Sequence, residues 1–566
     1  MTEARPHPYD PTAFRDVFEH HFTYLAGFWR NVHRYASRPA LHDPLTGRRW
    51  TYAELGRDVE RLAAGLAACG VGRGDVVVFQ LFNTPEWALL YLAAQHLGAV
   101  GSPVNFRFSP GETALVLDDS RPSAYVFDVA IAETARAAVD VARHRVGALI
   151  SVDAAAIDGP GGPGGRGDRV PPLRDAIPFG DLLAGGHPAV TPPADVTIYD
   201  ETTRLYTSGT TGMPKGVCLN SLVEVLTAHD VIMHFPLSPE DKTLNMTPWF
   251  HRGGVSSGGP CPVFYAGAEA VAMPRFDPDL CLDYVAAHGL TFLIGAPTNL
   301  VMLASAQEAR PRDLSTLRGI VTMGAPLERQ ACLRFQRVLT PRIFNGYGTT
   351  EAFWNTFLRP ADLPDHAGSA GRACTDDDVA VVRLVEGDGA EPGDLAAKDG
   401  TEIGEVIVRS VKSGYAYTNN PAEQAQRFRG GWLYTGDLAT WDRDEYVTIV
   451  GRKDDMIISG GENVYPVQVE EVLNEHPGVS ECAVVGLPDA RWGELVVAYV
   501  VAADDSLTAT ECDKHCQAHP MLAGYKRPRA YRFVPELPVT ATGKKMHYKV
   551  REMAIADDAA GTLMRL

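Results

Sequence analysis

The chain of 566 residues contains no run of eighteen apolar residues, and its opening Met-Thr-Glu-Ala-Arg-Pro-His-Pro lacks the apolar segment of a signal peptide. The first absence argues against a helical membrane span and the second predicts a cytoplasmic location. Net positive charge is missing as well. A formal charge of −18 argues against a broad nucleic-acid or anionic-membrane surface, because such partners need a basic patch that displaces counterions. Anionic ligands must therefore meet local cations. Cysteine is thin and scattered: nine residues, an odd number, at 69, 218, 261, 281, 332, 374, 482, 512 and 516. That predicts reduced thiols rather than a disulfide framework. Of these, Cys512 and Cys516 cluster beside His515 and His519, but the spacing does not match a zinc site and the expectation is packing on a helix surface. No internal repeat is visible.

What is present is an ordinary globular composition, 45% apolar and 22% charged, in a chain longer than one hydrophobic core usually supports. Two or more domains are expected. From Thr51 onward helical periodicity alternates with short apolar runs. Leu55, Val59, Leu62 and Leu66 share one face of a helix predicted over 52–66, and residues 75–81 read as a buried strand. Residues 87–97 return to helix, 98–104 and 123–128 to strand, and the rhythm recurs from Leu280 to Ile343 with strands over 291–295 and 319–323. This is the pattern of crossover units around mainly parallel sheets. Residues 159–172 and 386–400 are too poor in apolar side chains to order themselves and are expected as exposed loops. After Gly404 the segments become short and β-rich. A boundary is placed near Arg452 to Asp455, followed by a small domain with strands over 480–486 and 495–502.

Residues 206–216 read Tyr-Thr-Ser-Gly-Thr-Thr-Gly-Met-Pro-Lys-Gly. Gly209, Gly212 and Gly216 let backbone N–H groups turn inward, and Thr207, Ser208, Thr210 and Thr211 add hydroxyl donors, a composition suited to a triphosphate. The common P-loop pattern does not fit, since Lys215 lies three residues after Gly212 and is followed by Gly216 rather than Ser or Thr. Farther on, Asn345-Gly346-Tyr347-Gly348-Thr349-Thr350-Glu351 follows an apolar strand signal, at the carboxyl edge where open α/β sheets bind ligands. Thr350 there suits a phosphate oxygen, and Glu351 suits Mg²⁺, a hard cation that takes few protein oxygens when phosphates supply the rest. Read alone, the same string also fits a simple turn. Asp437, closing Tyr434-Thr-Gly-Asp437, suits a ribose diol, because one carboxylate accepts from two adjacent hydroxyls.

Together with Met323-Gly324-Ala325-Pro326, Gly451-Arg452-Lys-Asp454 through Gly460-Gly461-Glu462, and Leu537 through Gly543-Lys544, these strings resemble, in order and spacing, the adenylate-forming superfamily. That group includes acyl- and aryl-CoA ligases, carrier-protein adenylation domains and beetle luciferases, and the resemblance runs from about Arg48 to Lys549. It implies an α/β fold. A large N-terminal domain, residues 1–453, would hold crossover-connected, mostly parallel sheets plus a small β-barrel-like portion, and a small mobile α+β domain, residues 454–566, would carry the catalytic lysine. It also implies ATP, Mg²⁺ and CoA as ligands, with a homodimer allowed. The loop from Thr207 to Lys215 would close on the β- and γ-phosphates. Adenine would lie between Gly324-Ala325-Pro326 and Tyr347, with Asn345 reading its amino group. Thr350 would bind the α-phosphate, Glu351 the Mg²⁺, and Asp437 and Arg452 the ribose. Lys544 would sit between the substrate carboxylate and the α-phosphate, with Lys545 as its possible substitute. Asp454 would be the hinge about which Lys544 withdraws and Gly460 and Gly461 line a pantetheine tunnel, while Arg107, Arg527 and Arg529 are candidates for CoA phosphates.

Pro248-Trp-Phe250-His251 falls where the family places an aromatic or histidine beside the acyl pocket and the thiol entrance. The Asp with which amino-acid-activating members pair the substrate amine is missing near it, which favours a plain carboxylic acid. Phe250, His251, Val255, Met323, Phe353 and Trp354 form a candidate lining for an aryl or medium acyl group; core packing explains Phe353 and Trp354 equally well. Asn220 stands where many relatives have a histidine, and the sequence assigns it no role. The leading expectation is an ATP-dependent carboxylate:CoA ligase. The alternatives are an adenylating enzyme with another acceptor, such as a carrier-protein thiol, one that activates an oxyanion such as nitrite, and a non-catalytic nucleotide-binding protein.

Overall fold

Periodic segments fold where their spacing puts them. Tyr52–Ala68 is a helix opened by a reciprocal Thr51–Glu54 capping box, and Leu55, Val59, Leu62 and Leu66 are fully buried on its inner face. Pro85–His96 starts with proline in its first turn and is buried on every side, as a helix apolar around its circumference must be. The computed structural model describes residues 11–153, 175–208, 214–385, 390–459, 462–489, 492–504, 506–519, 522, 524–539 and 545–566.

Among the described residues a nine-stranded sheet runs in the order Arg372–Ala373, Phe353–Leu358, Ile343–Thr349, Gly319–Met323, Phe292–Gly295, Lys242–Asn245, Glu269–Val271, Pro39–Asp43, Arg48–Thr51. Its six interior strands are parallel, and antiparallel strands close both edges. A seven-stranded sheet runs Ile177–Pro178, Ala148–Val152, Ala124–Asp128, Val76–Gln80, Val100–Pro103, Glu201–Ser208, Pro214–Asn220, parallel except for its last strand. The largest buried cluster draws Phe79 and Leu205 from one sheet and Phe292 and Val321 from the other. The helix Ser221–His234 contributes Val223, Val225 and Val231 to that cluster. Asn220 caps this helix, accepting from Val223 N–H at 2.9 Å, so a position the sequence left without a role has a local one.

The β-rich stretch forms a five-stranded antiparallel sheet from Asp377–Arg383, Gly404–Ser410, Trp432–Trp441, Phe428–Arg429 and Val447–Arg452. A six-stranded sheet then collects Ile457–Ser459, Glu462–Val464, Val479–Asp489, Gly493–Ala502, Ala530–Phe533 and Met564–Arg565 around separate buried clusters.

Two expectations need correcting. Cys512 and Cys516 are not on a helix surface: both are fully buried beside Cys482 and Leu473, while His515 bonds the Val472 carbonyl oxygen and His519 pairs with Glu475. All nine cysteines are free. The stretch 390–400 is not wholly exposed either. Ala390 and Ala396 are buried under the five-stranded sheet, and their carbonyls accept from Tyr434 Oη and Trp441 Nε1. Two small residues suffice because the neighbouring aromatics supply the apolar area and the donors. The stretch 159–172 lies outside the described residues, as do 386–389. Among the described residues no helix is long and apolar enough to cross a membrane.

Candidate active site

The glycine-rich loop is the tip of an antiparallel hairpin, with Thr207 opposite Lys215 and Ser208 opposite Pro214. Gly209, Thr210, Thr211 and Gly212 lie outside the described residues. Lys215 is buried and paired with Glu423, which also accepts from Arg427 Nε at 3.2 Å. Despite the cost of burial, these two cations hold the Glu423 carboxyl below its usual range. Lys215 is therefore already neutralised in this arrangement. Beside the hairpin runs the segment 415–420: Thr418 N–H donates to the Gly216 carbonyl at 2.7 Å, and Tyr417 bridges Val217. Tyr417 then donates its hydroxyl to Glu351 Oε1 at 2.6 Å. Through this tyrosine the glycine-rich hairpin and a carboxylate 136 positions away from Lys215 are brought together.

Glu351 sits in the turn between Ile343–Thr349 and Phe353–Leu358. Thr349 Oγ1 accepts from Ala352 N–H at 3.2 Å and so braces that turn, in which the neighbouring Thr350 is half-buried. A Cβ on Gly348 would fall 1.5 Å from the Phe353 carbonyl oxygen, and one on Gly346 would meet the Trp354 indole at 2.6 Å. Both glycines are thus required by the return strand. Phe353 itself is held at φ 60°, a conformation costly for a bulky side chain and found where surrounding structure enforces it. Glu351 Oε2 has no hydrogen-bond partner among the described residues. A half-buried carboxylate with one oxygen committed and one open fits Mg²⁺.

On the next two strands, Asn345 stands opposite Thr322 and Gly346 opposite Met323. Gly324, at φ 83° with open space around its Cα, follows the neighbouring strand Gly319–Met323, and half-buried Ala325 and exposed Pro326 come next. Asn345 donates to the Ser369 carbonyl at 3.4 Å, but its own Oδ1 is buried without a partner. A buried orphan acceptor is rare, and an exocyclic amino group would satisfy it. Tyr347 donates to Asp437 Oδ2 at 2.8 Å and Arg452 to Asp437 Oδ1 at 2.6 Å, the last two facing each other across paired strands. Burial and the adjacent Asp437 charge keep the Tyr347 phenol protonated. A carboxylate has about four acceptor sites, so Asp437 retains capacity for a diol.

The acyl-pocket candidates form an aromatic wall. Phe250 lies 4.4 Å from the His251 ring and edge-on to Phe106 at 5.4 Å, and Phe106 packs on Phe82 at 4.3 Å. Burial, with Arg107 adding, pushes the His251 pKa down to about 4, and its Nε2 is shut from solvent without a partner; the ring is neutral at pH 7. Val255, Met323, Phe353 and Trp354 all belong to the central buried cluster, so Phe353 and Trp354 serve as core whatever else they touch.

Lys544, Gly460 and Gly461 lie outside the described residues. Lys545 bonds Glu470 at 2.9 Å, and Glu470 also accepts from His547 at 2.6 Å; that commitment argues against Lys545 as a substitute for Lys544. Asp454 is exposed in the short turn Lys453–Asp455. Arg527 is paired with Asp513 at 3.0 Å, Arg529 reaches the Gly524 carbonyl at 3.3 Å, and Arg107 is exposed over Phe106. Sequence reasoning missed Tyr417, Glu423, Phe82, Phe106 and Glu470, none of which stands in a motif; each is found only by what folds against it.

Comparison with known proteins matches residues 28–416 to "AMP-binding enzyme" and 468–544 to "AMP-binding enzyme C-terminal domain". The chain is 34% identical over 510 residues to an indoleacetate–CoA ligase of Aromatoleum aromaticum, covering 89% of this chain and 93% of that one. It is 35% identical over 508 residues to a feruloyl-CoA synthase of an Amycolatopsis species, covering 89% and 94%. Among solved structures, an anthranilate CoA ligase in complex with anthranoyl-AMP superposes with a TM-score of 0.81 at 26% identity, covering 95% of this chain and 98% of that one. The chain belongs to the AMP-binding enzyme family of adenylate-forming ligases.

Proposed function

We propose that this acid–thiol ligase acts on an aromatic carboxylic acid, and that the residues assembled above divide the work as follows. The reaction joins the acid to the α-phosphoryl group of ATP, releases pyrophosphate, and transfers the acyl group from the adenylate to the thiol of CoA with release of AMP. Bringing carboxylate to polyphosphate costs on the order of 4 kcal/mol for two unit charges 4 Å apart at an effective dielectric near 20. Lys544 offsets that repulsion at the reacting centre, and the hairpin from Thr207 to Lys215 holds the phosphates that leave. Glu351, oriented by Tyr417, would hold Mg²⁺, which supplies charge neutralisation on the phosphates when bound. Asp437, steadied by Tyr347 and Arg452, takes the ribose diol, and Asn345 Oδ1 takes the adenine amino group.

The aromatic reading rests on the wall of Phe82, Phe106, Phe250 and His251, whose faces and edges suit a flat ring. The names of the relatives, indoleacetate–CoA ligase and feruloyl-CoA synthase, agree with it. The neutral His251 at that wall favours passage of an uncharged acyl group and thiol. Residues 1–453 and 454–566 form the two domains of the working enzyme, turning about Asp454 so that Lys544 serves the first step and Gly460 and Gly461 the second, with Arg107 and Arg529 near the CoA phosphates. Arg527 is a weaker candidate because Asp513 already neutralises it.

The test is pyrophosphate release across aryl and aliphatic acids, with and without CoA, with thioester followed by mass spectrometry. Aryl acids should turn over with CoA dependence. A preference for aliphatic acids overturns the substrate class, and turnover independent of CoA points to a carrier thiol or another acceptor.

A further inference from the structure

Arg252 follows His251 directly and is 4% exposed. Its guanidinium donates through Nη2 to Thr227 Oγ1 at 2.8 Å and distantly, at 3.5 Å, to the Lys412 carbonyl. Nε is buried with no partner. Among the described residues Arg252 makes no ion pair within 4.0 Å. Arginine has five donors in a fixed fork, and when buried it ordinarily finds a carboxylate or phosphate to match them. Here the fork is mostly unused, and an unsatisfied buried donor demands an explanation.

Its surroundings are those of the acyl-pocket candidates. The guanidinium carbon lies 5.5 Å from the centre of the Phe353 ring. At the adjoining Gly253, a Cβ would come within 3.1 Å of Met323 Cε. His251, on the other side, carries a further buried nitrogen without a hydrogen-bond partner, Nε2.

Nearby charges limit what that can be. Glu224, on the helix Ser221–His234, accepts from the hydroxyls of Tyr91, Thr202 and Thr203 and is the carboxylate whose field Arg252 feels. On the same helix Asp230 pairs with Lys412 at 3.0 Å, and Lys412 also pairs with Asp377 at 2.9 Å. Three carboxyl groups share this buried region with two cations, and Glu224 already lies in the field of Arg252, so a further carboxylate on the substrate would add a buried charge beside acidic groups. A neutral oxygen acceptor uses the open N–H groups without that cost.

We propose that Arg252 is a specificity-determining residue that binds a neutral oxygen substituent, a ring hydroxyl, methoxy or carbonyl oxygen, on the acyl portion of an aromatic acid. This rests on the acid-activation reading above. The experiment compares kcat/KM for 3-phenylpropenoic acid, its ring-hydroxy and ring-methoxy derivatives, and a ring-carboxylate derivative, in wild type and in Arg252→Met and Arg252→Lys. Wild type should favour the oxygenated acids over the plain one by about tenfold or more, chiefly through KM, and disfavour the ring carboxylate. In Arg252→Met the ratio should fall toward one, with Arg252→Lys intermediate. Equal use of plain and oxygenated acids by wild type, preference for the ring carboxylate, or a ratio unchanged in a variant that still binds AMP would overturn the proposal. Should neither variant fold, the wild-type ratios decide alone. Absence of CoA-dependent turnover with every acid would instead overturn the underlying activity.

Discussion

Replacing Glu470 with Gln removes the charge around which the last segment of the chain is organised. Its carboxylate accepts from Lys545 Nζ at 2.9 Å, His547 Nε2 at 2.6 Å and the Val484 N–H at 2.8 Å, and its side chain is 6% exposed. Against the penalty of burial, Lys545 and His547 hold its pKa down to about 2 from an ordinary 4.5. At about 1.4 kcal/mol per pH unit, the difference is worth about 3 kcal/mol at neutral pH. That matches the usual cost of breaking a buried ion pair, roughly 3 to 5 kcal/mol. The sign follows from the lowered acid: its contribution is full above pH 4.5 and fades as pH falls toward 2. His547 runs the other way. Against burial, the Glu470 charge raises its pKa above 6.5, so its share is full below pH 6.5 and is lost as pH rises through the raised value. In Glu470→Gln both flanks should flatten. Hydrogen exchange on the full chain, read on amides of the helix His547–Ala559, should speed about 100-fold near neutral pH, the equivalent of about 3 kcal/mol. Because Lys545 adjoins Lys544, adenylate formation should slow more than thioester formation from a supplied acyl-adenylate. Unchanged protection with an unchanged pH profile would refute the reasoning.

Lys544→Ala should cut pyrophosphate release about 10² to 10³-fold while sparing thioester formation from supplied acyl-adenylate, and full adenylation in that variant would sink its assignment. Asp437→Ala, which strands Arg452 and Tyr347, should raise the KM for ATP about tenfold or more with a smaller change in kcat; an unaltered KM would rule out the ribose role. Tyr417→Phe frees Glu351 and should raise the Mg²⁺ concentration for half-maximal rate several-fold, so an identical Mg²⁺ titration would contradict the orienting role. With its pKa pushed down to about 4, His251 stays neutral from pH 5.5 upward. An inflection near 6.5 in the thioester step that vanishes in His251→Ala would show otherwise.

Local chemistry was legible before any fold was known. The face carrying Leu55, Val59, Leu62 and Leu66, the strands over 76–80 and 319–323, and the polar strings at 206–216 and 345–351 depend on residues a few positions apart, where backbone geometry alone sets who is a neighbour. The contacts that make a site of those strings depend on register between distant segments, which only long-range packing determines. Tyr417 meets Glu351 because a strand-like segment lies along the glycine-rich hairpin. Lys545 and His547 meet Glu470 across 75 and 77 positions. Cys512 and Cys516 turn inward because Leu473 and Cys482 wait for them. Arg252 shows the division most plainly: the sequence displays a charged residue in a glycine-rich turn, and burial among Thr227, Phe353 and the Lys412 carbonyl makes it a donor in want of an acceptor. Residue type and spacing determined the candidate groups and, through the resemblance they carry, the class of reaction, because phosphate, ribose and a hard cation each call for particular donors and acceptors. Tertiary structure decided which charges are spent on one another and which remain for the substrate, because the cost of burying a charge depends on everything that surrounds it.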